Sequence, residues 1–275
     1  MRSVRLQVAS RPLDNSRRGS QHPGMDSTRR FSNRVADYVS FRPTYPEAVF
    51  DMLVARVPPE LPRSAADIGS GTGIFSRGLL ARGFEVYGVE PNPEMRAQAE
   101  RALGGEPRFH SRSGRAEATA LPDQCVSLAV AAQAFHWFEP RQCRSEWQRL
   151  LVPGGVVGLV WNQRQLGSEF MQAYEAVMQR LPEYERVSRR QRDAASIAAL
   201  FGEGEFETLE YANHQVFDWP GLRGRVLSSS YVPKSGQPGH EQLMVELQRS
   251  FSAHERAGSV QFDYVTRLHV GHLSC

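Results

Sequence analysis

Between Ala65 and Trp161, short apolar runs alternate with amphipathic ones. AADIG (65–69) is an apolar lead-in that ends on glycine, and a helical pattern follows to about Gly83. FEVYGVE (84–90) reads as a strand and leads into PNPEMRAQAERAL, where Asn92 suits an N-cap and Pro93 the first helical position. PRFHSRS (107–113) is short and polar enough for an edge strand, whereas VSLAVAAQ (126–133) is apolar without alternation, the texture of a strand buried on both faces. A helix from about Arg141 to Leu151 ends at PGG, and GVVGLVW (155–161) repeats the buried-strand texture. Strand alternating with helix in this way predicts an α/β fold with a doubly wound, mostly parallel sheet.

Upstream, FSNRVADYV sets Phe31, Val35, Tyr38 and Val39 on one helical face, and FRPTYP breaks that pattern with two prolines. PEAVFDMLVARV (46–57) is a second amphipathic helix, with proline at its first turn. Beyond Asn162 the rhythm loosens. Helical patterns at 168–181 and 190–201 precede an alternating segment, FETLEYANHQVFDW (206–219). A Ser/Gly-rich connection leads to a helix around 240–253, and VQFDYVTRLHVGHL (260–273) alternates again. These two alternating segments would extend the sheet to seven strands. The helical stretches between strands, with no core of their own in prospect, are expected to cap it. Residues 31–275 thus read as one domain, with 162–204 and 220–255 as cap or substrate elements.

Composition adds limits. With 40% hydrophobic and 23% charged residues the chain is ordinary for a globular protein, and a net charge of +3 does not by itself point to nucleic acid or membrane. Lys234 is the lone lysine among 33 basic residues, a bias of composition more than a phosphate-binding design. The first 30 residues carry seven arginines against two aspartates and no apolar block, so they are no secretory signal. They read as a disordered tail, with Met25 as an alternative start, or as a mitochondrial targeting segment. Cys125, Cys143 and Cys275 are odd in number and lack CxxC spacing, which supports neither a disulfide framework nor a zinc site and points to a reducing, cytoplasmic setting. No run reaches the roughly 20 apolar residues of a membrane span. RVSRRQR (186–192) lacks interleaved aromatics and reads as a solvated helix face, so nucleic acid is not expected as a partner. His240, His254, His269 and His272 have no ligand spacing, and no metal is expected.

The glycine-rich turn, Gly69-Ser70-Gly71-Thr72-Gly73, sits between a strand and a helix, where ligands of open α/β sheets bind. A dinucleotide fingerprint needs a third glycine five positions after the first. Counting from Gly69 that position is Ile74, and from Gly71 it is Ser76, so both registers fail. A P-loop fails too, because no Gly-Lys-Ser/Thr follows. The next strand ends in Glu90, whose carboxylate would accept from both hydroxyls of a ribose and repel a 2′-phosphate. The turn therefore wants an adenosine-type ribose without a pyrophosphate.

DIGSGTG followed by VEPNPEM resembles the class I S-adenosylmethionine-dependent methyltransferases. FRPTYP, AQAFHWF and SSSYVP are similar to one small-molecule branch, the trans-aconitate-methyltransferase-like enzymes. The resemblance implies a Rossmann-like seven-stranded sheet, S-adenosylmethionine as cofactor, and a small-molecule acceptor methylated at a carboxylate or other oxygen. Methylation of RNA or protein, or a non-catalytic S-adenosylmethionine-binding module, is the alternative. Asp67, Gly69, Gly71 and Gly73 would form the cofactor loop and Glu90 would hold the ribose. GRAEATALPD (114–123) would border the adenine, and because Arg115 stands where many relatives have aspartate, the Ala116 backbone and Glu117 take that part. Gln133 would reach the methionyl end, and Tyr45 would fold over the cofactor. His136 is the neutral-pH base near the site, or else a packed structural residue. Arg42, Trp137, Trp161 and Tyr231 are the candidate acceptor residues, with Asn162 beside them. The protein is expected to act as a monomer or weak dimer.

Overall fold

The computed structural model describes residues 42–184, 194–202, 206–229 and 231–273. Among these, seven strands form one sheet in the order β3-β2-β1-β4-β5-β7-β6. They are β1 (Ser64–Ile68), β2 (Glu85–Val89), β3 (Phe109–Arg112), β4 (Val126–Ala132), β5 (Leu151–Arg164), β6 (Phe206–Phe217) and β7 (Val260–Gly271). The first five run parallel, and β7 enters antiparallel between β5 and β6. The mostly parallel seven-stranded sheet is the architecture that the alternating texture predicts.

Helices α1 (Glu47–Arg56), α2 (Ile74–Ala81), α3 (Pro93–Leu103) and α4 (Pro140–Leu150) flank the sheet, followed along the chain by α5 (Glu169–Met178), α6 (Ala194–Phe201), α7 (Trp219–Leu227) and α8 (His240–His254). On one face Phe50 and Leu53 of α1 and Phe75 and Leu79 of α2 pack on Val86, Leu128, Val130 and Val156. On the other, Cys143 and Trp147 of α4 and Phe201 of α6 pack on Ile68, Ala129, Val157 and Leu159. β1 and β4 lie between these layers and are buried on both sides, which is why neither alternates in sequence. The fully buried Trp147 also donates its indole N–H to the carbonyl of Ala116 at 3.1 Å. Truncating such an anchor to alanine costs about 3–5 kcal/mol.

Local signals hold where they were strongest. Asn92 caps α3 by accepting from the backbone N–H groups of Glu94 (2.9 Å) and Met95 (3.0 Å), with Pro93 in the first turn. At the end of β6 the outcome differs from expectation. The strand stops at Phe217, and Asp218 caps α7 by accepting from Gly221 N–H at 2.8 Å. Gly221 and Gly224 inside α7 weaken its sequence signal, while the Asp-Trp-Pro start carries the cap.

The helical stretches after Asn162 also do have a core of their own. Phe170, Met171 and Tyr174 of α5, Leu222 and Val226 of α7, and Leu243 and Leu247 of α8 bury themselves with Phe262 and Tyr264 of β7. Long β6 and β7 strands make this possible, because their far ends project beyond the parallel sheet and offer the cap helices an apolar face. The helix expected from Phe31, the tail before it, the basic stretch at 186–192 and Ser230 lie outside the described residues. No helix among the described residues is long and apolar enough to cross a membrane.

Because β1 has β2 on one side and β4 on the other, successive connections run outward in opposite directions. That leaves a crevice beyond the carboxyl ends of β1 and β4, the switch point where open α/β sheets bind ligands.

Candidate active site

All three loop glycines adopt left-handed backbone, with φ of 72° at Gly69, 57° at Gly71 and 82° at Gly73. Their reasons differ. A Cβ on Gly69 would stand 2.6 Å from the Cβ of Ala134, and one on Gly73 2.6 Å from the Cδ1 of Leu103. A Cβ on Gly71 would meet nothing within 4 Å. Gly69 and Gly73 are therefore closed in by packing, whereas Gly71 opens on space that a ligand can fill.

The loop is tied to the end of β2. Gly69 N–H donates to the Val89 carbonyl at 2.8 Å, and Gly71 N–H to Glu90 Oε2 at 3.0 Å. The other oxygen of Glu90 accepts from Asn92 N–H at 2.8 Å. Burial raises the Glu90 carboxyl above its ordinary range, against the pull of those two N–H groups and Arg96. Each carboxylate oxygen keeps a further lone pair for a ribose hydroxyl.

Asp67, at the end of β1, is buried, and its Oδ2 accepts from Ser76 Oγ at 2.6 Å while Oδ1 has no hydrogen-bond partner. Burial drives its carboxyl up to about 7, with Ser76 opposing and the Glu90 charge reinforcing. A buried carboxyl of this kind is poised to ionise when positive charge arrives.

Two cavities meet at this loop. The smaller, about 120 Å³, is bordered by Glu90, Met95, Arg115, Ala116, Glu117 and Phe138. The larger, about 480 Å³, is bordered by Arg42, Tyr45, Asp67, Thr72, His136 and Asn162 and runs on beneath the cap. Gly69, Gly71, Gln133 and Trp137 line both and form the shared wall. Gln133 sits there in left-handed backbone (φ 56°), uncommon for a side-chain-bearing residue, and donates from Nε2 to the Asn162 carbonyl at 3.1 Å.

Other predicted residues find mixed fates. The Ala116 carbonyl is engaged by Trp147, and Glu117 accepts from the Glu139 N–H at 3.0 Å, so both face neighbours as well as the small cavity. Tyr45 stands edge-on to Phe75 with ring centroids 4.9 Å apart. Arg42 donates to the Ser228 carbonyl at 3.1 Å, and the Thr44 carbonyl accepts from Asn162 Nδ2 at 3.2 Å, which clamps residues 42–44 over the sheet. His136 lies in a short 3-10 turn (Phe135–Trp137) against the Trp137 ring. Trp161 does not line the acceptor side. It is 3% exposed and packs edge-on against Phe135 and His269 on the opposite face of β5. Residues alternate across a strand, so the neighbour that faces the cavity is Asn162. The four C-terminal histidines are held apart by separate partners, the Pro233, Ser250 and Gly155 carbonyls and the Thr208 hydroxyl.

At the deep end of the larger cavity the SSSYVP motif supplies Ser229 and Tyr231, beside residues that the sequence does not single out. There Arg164 Nη1 donates to Tyr231 Oη at 3.2 Å, and its Nη2 donates to Tyr184 Oη. Tyr184 donates in turn to Glu175 Oε2 at 2.5 Å. Arg225, from α7, donates to Tyr264 Oη at 3.1 Å and to Ser229 Oγ at 3.2 Å. Burial alone would raise the Tyr231 phenol, but the charges of Arg164 and Arg225 outweigh it and bring it down to about 8. Arg164 follows Asn162 by two positions on β5 and so shares its face, the one signal in sequence that could have pointed here.

Residues 66–159 match the family model described as a methyltransferase domain. An uncharacterized methyltransferase of Mycobacterium tuberculosis (strain ATCC 25618 / H37Rv) is 38% identical over 139 residues, covering 50% of this chain and 54% of that protein. An uncharacterized methyltransferase-like protein of Schizosaccharomyces pombe is 35% identical over 135 residues, 49% of this chain and 52% of that one. The chain thus spans about half the length of the curated relatives it matches. Among solved structures, a protein assigned as a type II methyltransferase from Anaeromyxobacter dehalogenans superposes with a TM-score of 0.61 at 26% identity, covering 85% of this chain and 98% of that one. Phosphoethanolamine N-methyltransferase 2 of Haemonchus contortus, solved with S-adenosyl-L-methionine, shares the fold at a TM-score of 0.52 and 17% identity, covering 90% of this chain and 60% of that one. Residues 66–159 of this chain thus carry the pattern of a methyltransferase domain. The matched segment holds the glycine loop, Glu90 and the Gln133–Trp137 wall, while the deep cluster of Arg164, Glu175, Tyr184, Arg225 and Tyr231 lies wholly beyond it.

Proposed function

We propose that the chain transfers a methyl group from S-adenosylmethionine to an oxygen of a small-molecule acceptor. The observation that carries this reading is the open left-handed position of Gly71 beside Glu90, a cradle that accepts a ligand backbone-close and offers a carboxylate to its ribose. Asp67 adds a buried, unpartnered carboxylate oxygen on the same cavity, suited to the positive charge of this cofactor. When bound, the cofactor supplies an electrophilic methyl on a sulfonium centre and leaves as a neutral thioether.

In this reading Gly69, Gly71 and Gly73 shape the loop, Glu90 holds the ribose, and Ala116 and Glu117 border the adenine. Gln133 and Tyr45 enclose the methionyl end. Alignment and exclusion of water are the main demands of an in-line displacement, and the shared wall of Gln133 and Trp137 meets them by keeping the two cavities contiguous. Arg42, Trp137 and Tyr231 border the acceptor. His136 would take the proton from a hydroxyl acceptor, whereas a carboxylate acceptor needs no base.

The test is thermal melting of the full chain with each nucleotide cofactor. At 100-fold saturation a single-site ligand adds about 2.7 kcal/mol. For a chain of this size that is a rise of about 5–10 °C. S-adenosylmethionine and its demethylated product should give this rise and NAD should not. Stabilisation by NAD alone overturns the assignment. A screen of acids, phenols and amines for methyl uptake then identifies the acceptor class.

A further inference from the structure

Among the described residues, the cap holds more buried positive charge than it neutralises. Arg225 is 5% exposed and lines the larger cavity, yet it makes no ion pair with a carboxylate among the described residues. Its partners are the hydroxyls of Tyr264 and Ser229 and, through its flat face, the ring of Phe262 at 5.6 Å. Hydroxyls accept from two of its N–H groups but do not balance its charge. Beside it, Arg164 has one carboxylate, Glu175, at 3.7 Å, and the same Glu175 oxygen already accepts from Tyr184. Among the described residues, the two guanidinium groups at the end of this cavity thus have one carboxylate between them, and it stands against Arg164. Buried charges are ordinarily paired, because desolvating an unpaired ion is costly. The cavity is the side from which a counter-charge can reach Arg225.

We propose that Arg225 and Arg164 form an oxyanion subsite that anchors an acidic group of the methyl acceptor, apart from the atom that receives the methyl. This rests on the methyl-transfer reading above. The separation follows from the lining: Arg164, Glu175, Tyr184, Arg225, Tyr231 and Tyr264 border only the larger cavity, while its junction with the cofactor side is made by Gly69, Gly71, Gln133 and Trp137. The acceptor is thus an organic anion with two functions, a carboxylate, phosphate or sulfonate held in the cap and a second, nucleophilic oxygen near the shared wall. Guanidinium groups suit such planar or tetrahedral oxyanions through paired N–H donors, and a cationic amine would be repelled.

Tyr231 should report on occupancy. Facing it are Arg164 from β5, Tyr174 from α5, Arg225 from α7, Ser229 and Tyr184, with Glu175 behind Tyr184. An ionised Tyr231 would supply the missing negative charge itself and compete with an incoming anion. Anion affinity should accordingly fall as pH rises above about 8, and Tyr231→Phe should abolish that fall.

The experiment titrates succinate, inorganic phosphate and neutral succinamide into the full chain at constant ionic strength, with and without saturating S-adenosylhomocysteine. Succinate or phosphate should bind and succinamide should not, and which of the two binds separates a carboxylate from a phosphate acceptor. Arg225→Gln should weaken the anion by about 10- to 100-fold, the loss of charge-assisted hydrogen bonds, while leaving the S-adenosylhomocysteine shift in place. Should Arg225→Gln fail to fold, Arg164→Gln and the pH profiles of the native protein and Tyr231→Phe carry the same test. Binding by neither anion, equal binding of succinamide, or undiminished anion binding in the folded arginine variants overturns the subsite. Failure of S-adenosylhomocysteine to bind the native protein overturns the methyl-transfer reading instead, and the two failures are read from separate titrations.

Discussion

Replacing Gly71 and Gly69 one at a time by alanine separates a glycine kept for a ligand from a glycine kept for packing. Both residues have left-handed backbone, at φ of 57° and 72°, so either alanine bears the strain of that region, about 1–2 kcal/mol. At Gly71 nothing further is lost in the ligand-free protein, because its Cβ meets no atom within 4 Å. At Gly69 the new Cβ lies 2.6 Å from Ala134 Cβ and 3.0 Å from Phe138 Cζ, both on the wall that follows β4. Overpacking of that kind adds about 1–3 kcal/mol. At about 2–4 °C per kcal/mol, Gly71→Ala should melt about 2–8 °C below the native protein, and Gly69→Ala about 4–20 °C below it. The ligand response should run the other way. The methyl group at position 71 occupies the space a cofactor needs, so the shift given by S-adenosylhomocysteine should shrink or vanish in Gly71→Ala. Paired thermal melts with and without S-adenosylhomocysteine read both quantities on the same samples. A Gly71→Ala protein that keeps the full ligand shift while melting as low as Gly69→Ala would refute the reasoning, since position 71 would then be closed by the fold.

Asp67 should give the ligand-free protein a pH-dependent stability. With its carboxyl at about 7 in the folded chain, the folded state keeps a proton that the unfolded state releases from about pH 4 upward. Its contribution is therefore greatest below about pH 4, is lost as pH rises to about 7, and is flat above; Asp67→Asn should remove that slope in urea unfolding series at pH 5 and 7.5, and an unchanged slope in the variant would count against the assignment. Trp161→Ala should cost stability, about 3–5 kcal/mol for a truncated core aromatic, yet leave the dissociation constants of S-adenosylhomocysteine and of succinate unchanged. Calorimetric titration of the folded variant checks this, and a selective loss of succinate binding would restore Trp161 to the acceptor wall.

The amino-acid order by itself determined the features that depend on neighbours along the chain. Unbroken apolar runs mark β4 and much of β5 because those strands are buried on both faces. Asn92 and Pro93 mark the start of α3 because a cap is made within one turn. The Gly69–Gly73 turn and Glu90 are legible together because parallel β1 and β2 end side by side, so a short helical crossover returns the carboxylate to the loop it holds. The tertiary structure alone decided which charges meet and which way side chains face. Trp161 and Asn162 are adjacent in sequence, and only the placement of β5 in the sheet sends the first into the core and the second to the cavity. Arg164 and Arg225, 61 residues apart in sequence, come together from a strand and a helix weakened by two glycines. The core beneath the cap arises because β6 and β7 extend past the parallel strands, and neither segment alone shows that a partner face will be waiting. Spacing along a chain governs contacts within a turn or a hairpin. Buried charge is balanced across the whole fold, and that balance exists only once distant elements have packed.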